Sequence, residues 1–197
     1  TDALGRTVAF ERVPRRIAVV GKGVWMVGHP LYMFPEARER VVAMEARGSS
    51  VSDFLEAIVP GFMDLPHLEM NAAPEQIAPL RPDVVVTKSY MKERLGEGLD
   101  ALELPVVYVD LETPEQFLAD VTTMGQLLGN ESRAHDITEF YRERMSRIGK
   151  ALDGLSEGEK PRVLVIEYSD RGGEFAFRVP PASWMQTIEV ERAGGIP

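Results

Sequence analysis

One pattern restricts this chain more than any other. Short β-branched runs alternate with longer segments of helical periodicity. The runs are Ile17 to Val20, Val41 to Met44, Val84 to Thr87 and Val106 to Val109. Strands separated by helix-length crossovers build βαβ units and a largely parallel sheet. The expectation is therefore an α/β fold, a Rossmann-like lobe with a mostly parallel sheet flanked by helices.

The segments between the runs fill in this outline. Asp2 to Phe10 reads as a turn followed by a short edge strand over Thr7 to Phe10, with Pro14 breaking the chain. Gly21 and Gly23 close the first core strand. A helix from Val24 to Phe34 follows, weakened by Gly28 and Pro30. Ser52 and Asp53 suit the cap of a helix running to Ile58. Ala73 to Leu80 forms a short helix closed by Pro82, and a helix from Met91 to Leu102 leads to the fourth strand. Thr113-Pro114-Glu115 is a helix start, with a capping residue and proline at the first position. Phe117, Leu118, Val121, Met124 and Leu128 share one face of that helix. Gly129-Asn130 ends it. A long helix from Glu131 to Leu155 carries Ala134, Ile137, Phe140, Tyr141, Met145, Ile148, Leu152 and Leu155 at helical spacing. Beyond a polar linker, Arg162 to Glu167 reads as a buried strand. Gly172-Gly173 reads as a turn, Glu174 to Phe177 as another strand, and Ser183 to Ala193 as a helix. Too few strands follow the linker to close a second α/β core. The expected organisation is a lobe over 1–130, a connecting helix over 131–155, and the start of an incomplete second lobe over 156–197. Val163, Val165 and Trp184 then need cover from a neighbour, from a swap between chains, or from irregular packing.

Composition narrows the function. With 31 acidic and 22 basic residues the net charge is -9, which gives no general footprint for nucleic acid or anionic lipid. Cysteine is absent, which excludes disulfides, thiolate metal sites and cysteine nucleophiles. No apolar run reaches the length of about 18 residues that a spanning helix needs. Thr1 already stands beside folded-looking sequence, so any export signal or lipid-anchoring cysteine is expected upstream of it. No Gly-x-Ser-x-Gly elbow, His-Glu-x-x-His helix or phosphate-binding Gly-x-x-x-x-Gly-Lys-Ser/Thr loop occurs. His29, His67 and His135 are too few and too scattered for a zinc site, and the methionines sit at core-like positions.

The order of segments resembles the solute-binding proteins of ABC importers for ferric siderophores and cobalamin. The opening Asp2-Ala3-Leu4-Gly5-Arg6-Thr7-Val8 and the strand entry Pro14-Arg15-Arg16-Ile17-Ala18-Val19-Val20 are similar to that family's N-terminal region. Asn71 to Val86, NAAPEQIAPLRPDVVV, resembles its most recognisable stretch. The helix Glu131 to Leu155 looks like its rigid inter-lobe helix, and Ser183 to Gly195, SWMQTIEVERAGG, like the first helix of its second lobe. The resemblance covers nearly the whole chain. It implies two α/β lobes around a ligand cleft, and small closure motions across a stiff hinge. It further implies a non-enzymatic extracytoplasmic receptor with no intrinsic cofactor. The ligand would be a metal chelate (ferric siderophore, haem or cobalamin) or an oxyanion such as molybdate. An ABC permease is the implied partner, and membrane association runs only through it or through an upstream lipid anchor.

Residues follow from the same comparison. Glu75 and Glu191 match the two carboxylates that dock into permease arginines in the family. Lys22, Trp25, Lys88, Tyr90, Tyr168, Arg171 and Trp184 lie just after expected strands or where the second lobe turns back, places that face a cleft. Aromatic rings there suit a flat ligand, lysine and arginine suit an anionic one, and Tyr90 or Tyr168 is a hard phenolate donor for ferric iron. Two other readings stand beside this one. Gly21-Lys22-Gly23 after a strand, with Glu45 ending the next, suggests a dinucleotide-binding enzyme, although Met26 occupies the third glycine position. A signalling module that keeps the fold without transport is the other.

Overall fold

The computed structural model describes residues 1–46, 49–170 and 173–197. They form two compact units, Thr1–Leu111 with Gln116–His135, and Glu112–Glu115 with Asp136–Pro197.

The first unit is built on five parallel strands, β1 (Ile17–Val19), β2 (Val41–Glu45), β3 (His67–Leu68), β4 (Val84–Lys88) and β5 (Val106–Val109), in the order β3-β2-β1-β4-β5. Every pairing among them is parallel. All residues of β1, β4 and β5 are buried, as continuous valine and isoleucine runs in a doubly covered sheet should be. Helices α1 (Val24–Leu31), α2 (Ala37–Arg40), α3 (Ser49–Ile58), α4 (Pro74–Ile77), α5 (Glu97–Ala101) and α6 (Pro114–Leu128) connect and flank the strands. On one face Ala18, Val20 and Val85 pack with Ile77, Met91, Leu95, Leu99 and Tyr108 into a single core. The sheet order reverses direction between β1 and β4, so a topological switch point lies at their carboxyl ends.

Several sequence motifs have a direct structural purpose. In the Leu80-Arg81-Pro82-Asp83 stretch, one Asp83 carboxylate oxygen accepts the Arg15 and Arg16 amides at 2.7 and 3.0 Å, which aligns the entry to β1 with that to β4. The Arg16 guanidinium donates to the carbonyls of Arg81 and Leu80 at 3.0 and 2.7 Å, closing the end of the preceding helical turn. Between β4 and α5 the chain makes a π-helical turn, Lys92–Gly96, where a regular helix from Met91 was expected.

The N-terminal segment differs from its expected form. Thr7 to Phe10 makes no strand. The strap is held instead by Asp2, whose carboxylate accepts the Arg6 guanidinium at 2.8 Å and the Leu4 and Arg6 amides, while the Ala3 amide donates to the Tyr108 carbonyl at 2.9 Å. Arg6 also lies 4.6 Å from the Tyr108 ring centroid. A side-chain clamp of this kind supplies what ladder hydrogen bonds would have supplied.

The second unit contains most of α7 (Glu131–Leu152), the antiparallel hairpin of β6 (Glu167–Ser169) and β7 (Ala176–Arg178), and α8 (Met185–Arg192). The long helix stops three residues before the expected Leu155. Its apolar stripe is buried at Ala134 and Ile137, but Phe140 and Ile148 are exposed. The expected buried strand from Arg162 to Glu167 is not present. Its first part makes a single parallel bridge, Arg162 to Ile196, and Leu164 is 71% exposed. Beyond that bridge Val163 to Ile166 have no ladder partner among the described residues, and a single bridge does not build a sheet that could be covered as a core strand is.

Candidate functional site

The loop after β1 is Gly21-Lys22-Gly23. Gly21 and Gly23 both have positive φ, at 93° and 80°. A Cβ on Gly21 would stand 2.8 Å from Thr87 Oγ1, and one on Gly23 would stand 2.6 Å from the Tyr90 hydroxyl. Backbone conformation and close approach therefore both require glycine. Lys88 ends β4, and the turn after it carries Ser89 and Tyr90. The Tyr90 hydroxyl donates to the Lys22 carbonyl at 2.7 Å, joining the two loops across the switch point.

Four of the expected ligand residues lie at or just after the ends of β1 and β4. Lys22 and Tyr90 are exposed. Trp25, in the first turn of α1, is half-buried and packs 6.4 Å from the His29 ring and 6.2 Å from Phe62, so it anchors α1 while keeping part of its surface open. Lys88 is fully buried at the end of β4. Its ammonium donates to the Asp110 carbonyl and lies 5.7 Å from the Tyr90 ring centroid. It thus supplies positive charge beneath the surface rather than at it. Around it, the Ser89 hydroxyl hydrogen-bonds the Asp110 carboxylate, and one Asp120 oxygen accepts the Asp110 and Leu111 amides at 2.7 and 2.8 Å. Burial raises the Asp120 pKa above the ordinary aspartate value, against the lowering pull of those two amides.

Glu45, the acid weighed for a ribose, has a different position. It is fully buried at the end of β2. One carboxylate oxygen accepts the Gly21 amide at 2.7 Å and the other the Asn71 amide at 2.9 Å. A side chain engaged with two loops beneath the surface cannot reach a nucleotide ribose, and Met26 fills the third glycine position with a 41% exposed side chain. The geometry does not support dinucleotide binding.

Glu75 is exposed in the first turn of α4. In the second unit, Tyr168 is 52% exposed on β6 and packs against Phe175 and Phe177 at 6.1 and 5.5 Å, while Arg178 lies 4.8 Å from the Trp184 ring. Glu191 is exposed on α8. Arg171 lies outside the described residues. His29 and His67 lie within the aromatic group around Phe62 rather than in solvent, each with a buried Nε2 that has no hydrogen-bond partner among the described residues. No cluster of three or more potential metal-ligating side chains occurs among the described residues. A cavity of about 210 Å³ lies elsewhere, lined by the N-terminal strap and α6, and contains none of the switch-point residues.

A doubly wound parallel sheet with paired loops at its switch point defines an α/β unit of the ligand-binding kind. The chain belongs to the periplasmic binding protein family, whose model matches residues 29–178. Among solved structures it is similar to the TroA-like periplasmic binding protein FepB from Veillonella parvula, at 20% identity and a TM-score of 0.79, covering 100% of this chain and 60% of that one. It is similar to IsdE of S. aureus complexed with heme, at 15% identity and a TM-score of 0.66, with 92% and 64% covered. It is also similar to a periplasmic heme-binding protein from Pseudomonas aeruginosa, at 19% identity and a TM-score of 0.61, with 93% and 62% covered. The chain therefore spans less than two thirds of the length of these proteins. No curated protein matches it.

Proposed function

We propose that this chain is part of the extracytoplasmic substrate-binding component of an ABC importer. It captures a metal chelate of the ferric-siderophore, haem or cobalamin type, and passes it to the permease without a catalytic step. The observation that supports this most directly is the 2.7 Å hydrogen bond that joins the Lys22 loop to Tyr90 at the switch point, with Trp25 in the first turn of the helix that follows Lys22, in a chain of this family. An indole and a phenol offer flat surfaces to a conjugated ligand, and Lys22 offers a cation to its carboxylates or catecholates. Tyr168, Arg171 and Trp184 are assigned to the same ligand from the second unit. Glu75 and Glu191 are assigned to permease docking, where exposed carboxylates form charge-assisted pairs with arginine. Membrane association runs through the permease or through an upstream lipid anchor.

The test is a tryptophan-fluorescence titration with hemin, ferric enterobactin, cyanocobalamin and molybdate. Saturable quenching by one chelate, weakened about tenfold by Trp25→Ala as loss of a buried aromatic contact implies, is the expected result. No response to any of the four from folded protein overturns the ligand assignment. Glu75→Lys with Glu191→Lys should abolish uptake and leave the titration unchanged. A weakened titration would put those carboxylates at the ligand instead.

A further inference from the structure

The site rests on a side chain that lies beneath its surface and, engaged with two loops, is not available as a ribose-binding acid. Glu45 ends β2, and β2 lies between β1 and β3 in the sheet. Its carboxylate therefore faces the loops that leave both neighbours. Each oxygen serves one loop, Oε2 taking the Gly21 amide at 2.7 Å and Oε1 the Asn71 amide at 2.9 Å. Both amides belong to residues with left-handed backbone, φ 93° at Gly21 and 67° at Asn71. Each residue thus stands where its strand has ended and the chain has turned away from the ladder. The carboxylate takes the place of the strand partner that each amide has lost.

The two loops have different surroundings. Gly21 precedes Lys22, whose carbonyl the Tyr90 hydroxyl holds at 2.7 Å. Asn71 precedes α4, where Glu75 is exposed in the first turn. Both oxygens belong to one planar group, so a shift of either amide turns the plane on which the other depends.

We propose that Glu45 is a positioning residue that couples the loop carrying Lys22 to the turn leading into α4 and Glu75. The functional meaning of this coupling rests on the ligand and docking assignments above. Under them, a ligand that presses on the Lys22 loop changes the presentation of Glu75, so the docking surface reports whether the site is filled. A glutamate that only filled space would support each loop separately and transmit nothing between them.

Backbone amide hydrogen exchange in the folded chain, with no ligand or permease present, tests the coupling apart from those assignments. Glu45→Gln keeps the shape but sets an NH2 group against one of the two amides. It should speed exchange at Gly21 or Asn71 roughly tenfold, as loss of one charge-assisted hydrogen bond implies. Tyr90→Phe removes the hold on the Lys22 carbonyl from the far side. It should speed exchange at Asn71 about threefold in the natural background, through partial loosening of the shared carboxylate. With Glu45→Gln already present, it should add nothing at Asn71. Equal acceleration of Asn71 by Tyr90→Phe in both backgrounds overturns the proposal, because the route then bypasses Glu45. An unchanged Asn71 amide with Tyr90→Phe alone also overturns it, and this arm decides if Glu45→Gln fails to fold. A titration in which none of the four ligands binds would remove the ligand assignment and leave this measurement standing.

Discussion

The two units place similar sequence in opposite circumstances. In the first, Val84, Val85 and Val86 form the first three residues of β4 and are completely buried, with parallel strands on both sides and helices on both faces. In the second, Val163, Leu164 and Ile166 form an equally apolar run, yet Leu164 is 71% exposed and Ile166 49%. Phe175 and Phe177, flanking and within β7, are 73% and 71% exposed. Side-chain chemistry is nearly the same in the two places. What differs is the number of neighbouring strands. An apolar run becomes a core strand only where others complete the sheet around it.

Mutations can break or sharpen this contrast, beginning with the largest effect. Leu99→Ala, in the core against β4, should cost about 3 kcal/mol in urea denaturation, while Leu164→Ala should change stability by less than about 0.5 kcal/mol. Comparable losses would show the exposed run to be part of a real core. Asp120→Ala strands the two amides of Asp110 and Leu111 and should cost about 2 kcal/mol. The conservative Asp120→Asn keeps an acceptor and separates charge from geometry. Burial raises the folded pKa of Asp120 above 3.8, so the folded state holds its proton to higher pH than the unfolded state. The stability linked to this proton is present below 3.8 and is lost as pH rises through the folded value. Asp120→Asn should abolish that part of the pH profile.

His29 gives a smaller effect of opposite sign. Burial lowers its pKa below 6.5. Its contribution is therefore fully present above 6.5 and lost as pH falls through the lower folded value, where an imidazolium must be accommodated beside Trp25 and Phe54. A pH series of denaturation curves followed by tryptophan emission should show this loss, and His29→Phe should flatten it. The smallest stability change belongs to Phe175→Ser with Phe177→Ser, within about 0.5 kcal/mol. The same pair should reduce self-association in sedimentation velocity, since large exposed apolar surface favours contact between copies. A monodisperse, monomeric natural chain would count against that surface being adhesive.

Much of the first unit was legible because continuous β-branched runs have few alternatives. Val106 to Val109 appears as read, and β1, β2 and β4 differ from their expected bounds by one residue. The loop glycines at 21 and 23 were legible as the close of the first core strand. Their further role, admitting Thr87 and Tyr90 at close range, depends on residues more than sixty positions away. Glu45 shows the same boundary. A lone acid at the end of a buried strand is visible in sequence, but whether it meets a ligand or two backbone amides depends on how the neighbouring loops turn. Lys88 was expected at the site and stands beneath it, because the last residue of a central strand still points its side chain into the protein. The Thr7 to Phe10 edge strand was over-read, since β-propensity counts for little where Asp2 and Arg6 offer the backbone another set of partners. The buried strand over Arg162 to Glu167 was over-read because an apolar run carries no information about whether its neighbours exist.

The chain has two tryptophans, and they are distributed one to each unit, Trp25 at the switch point and Trp184 beside Arg178. Their environments differ, one an indole stacked near an imidazole and the other an indole under a guanidinium. The molecule thus carries two intrinsic optical channels. Replacing either indole with phenylalanine leaves a single-colour reporter for the other unit. Acid response and unfolding can then be followed separately in each half, with no label attached.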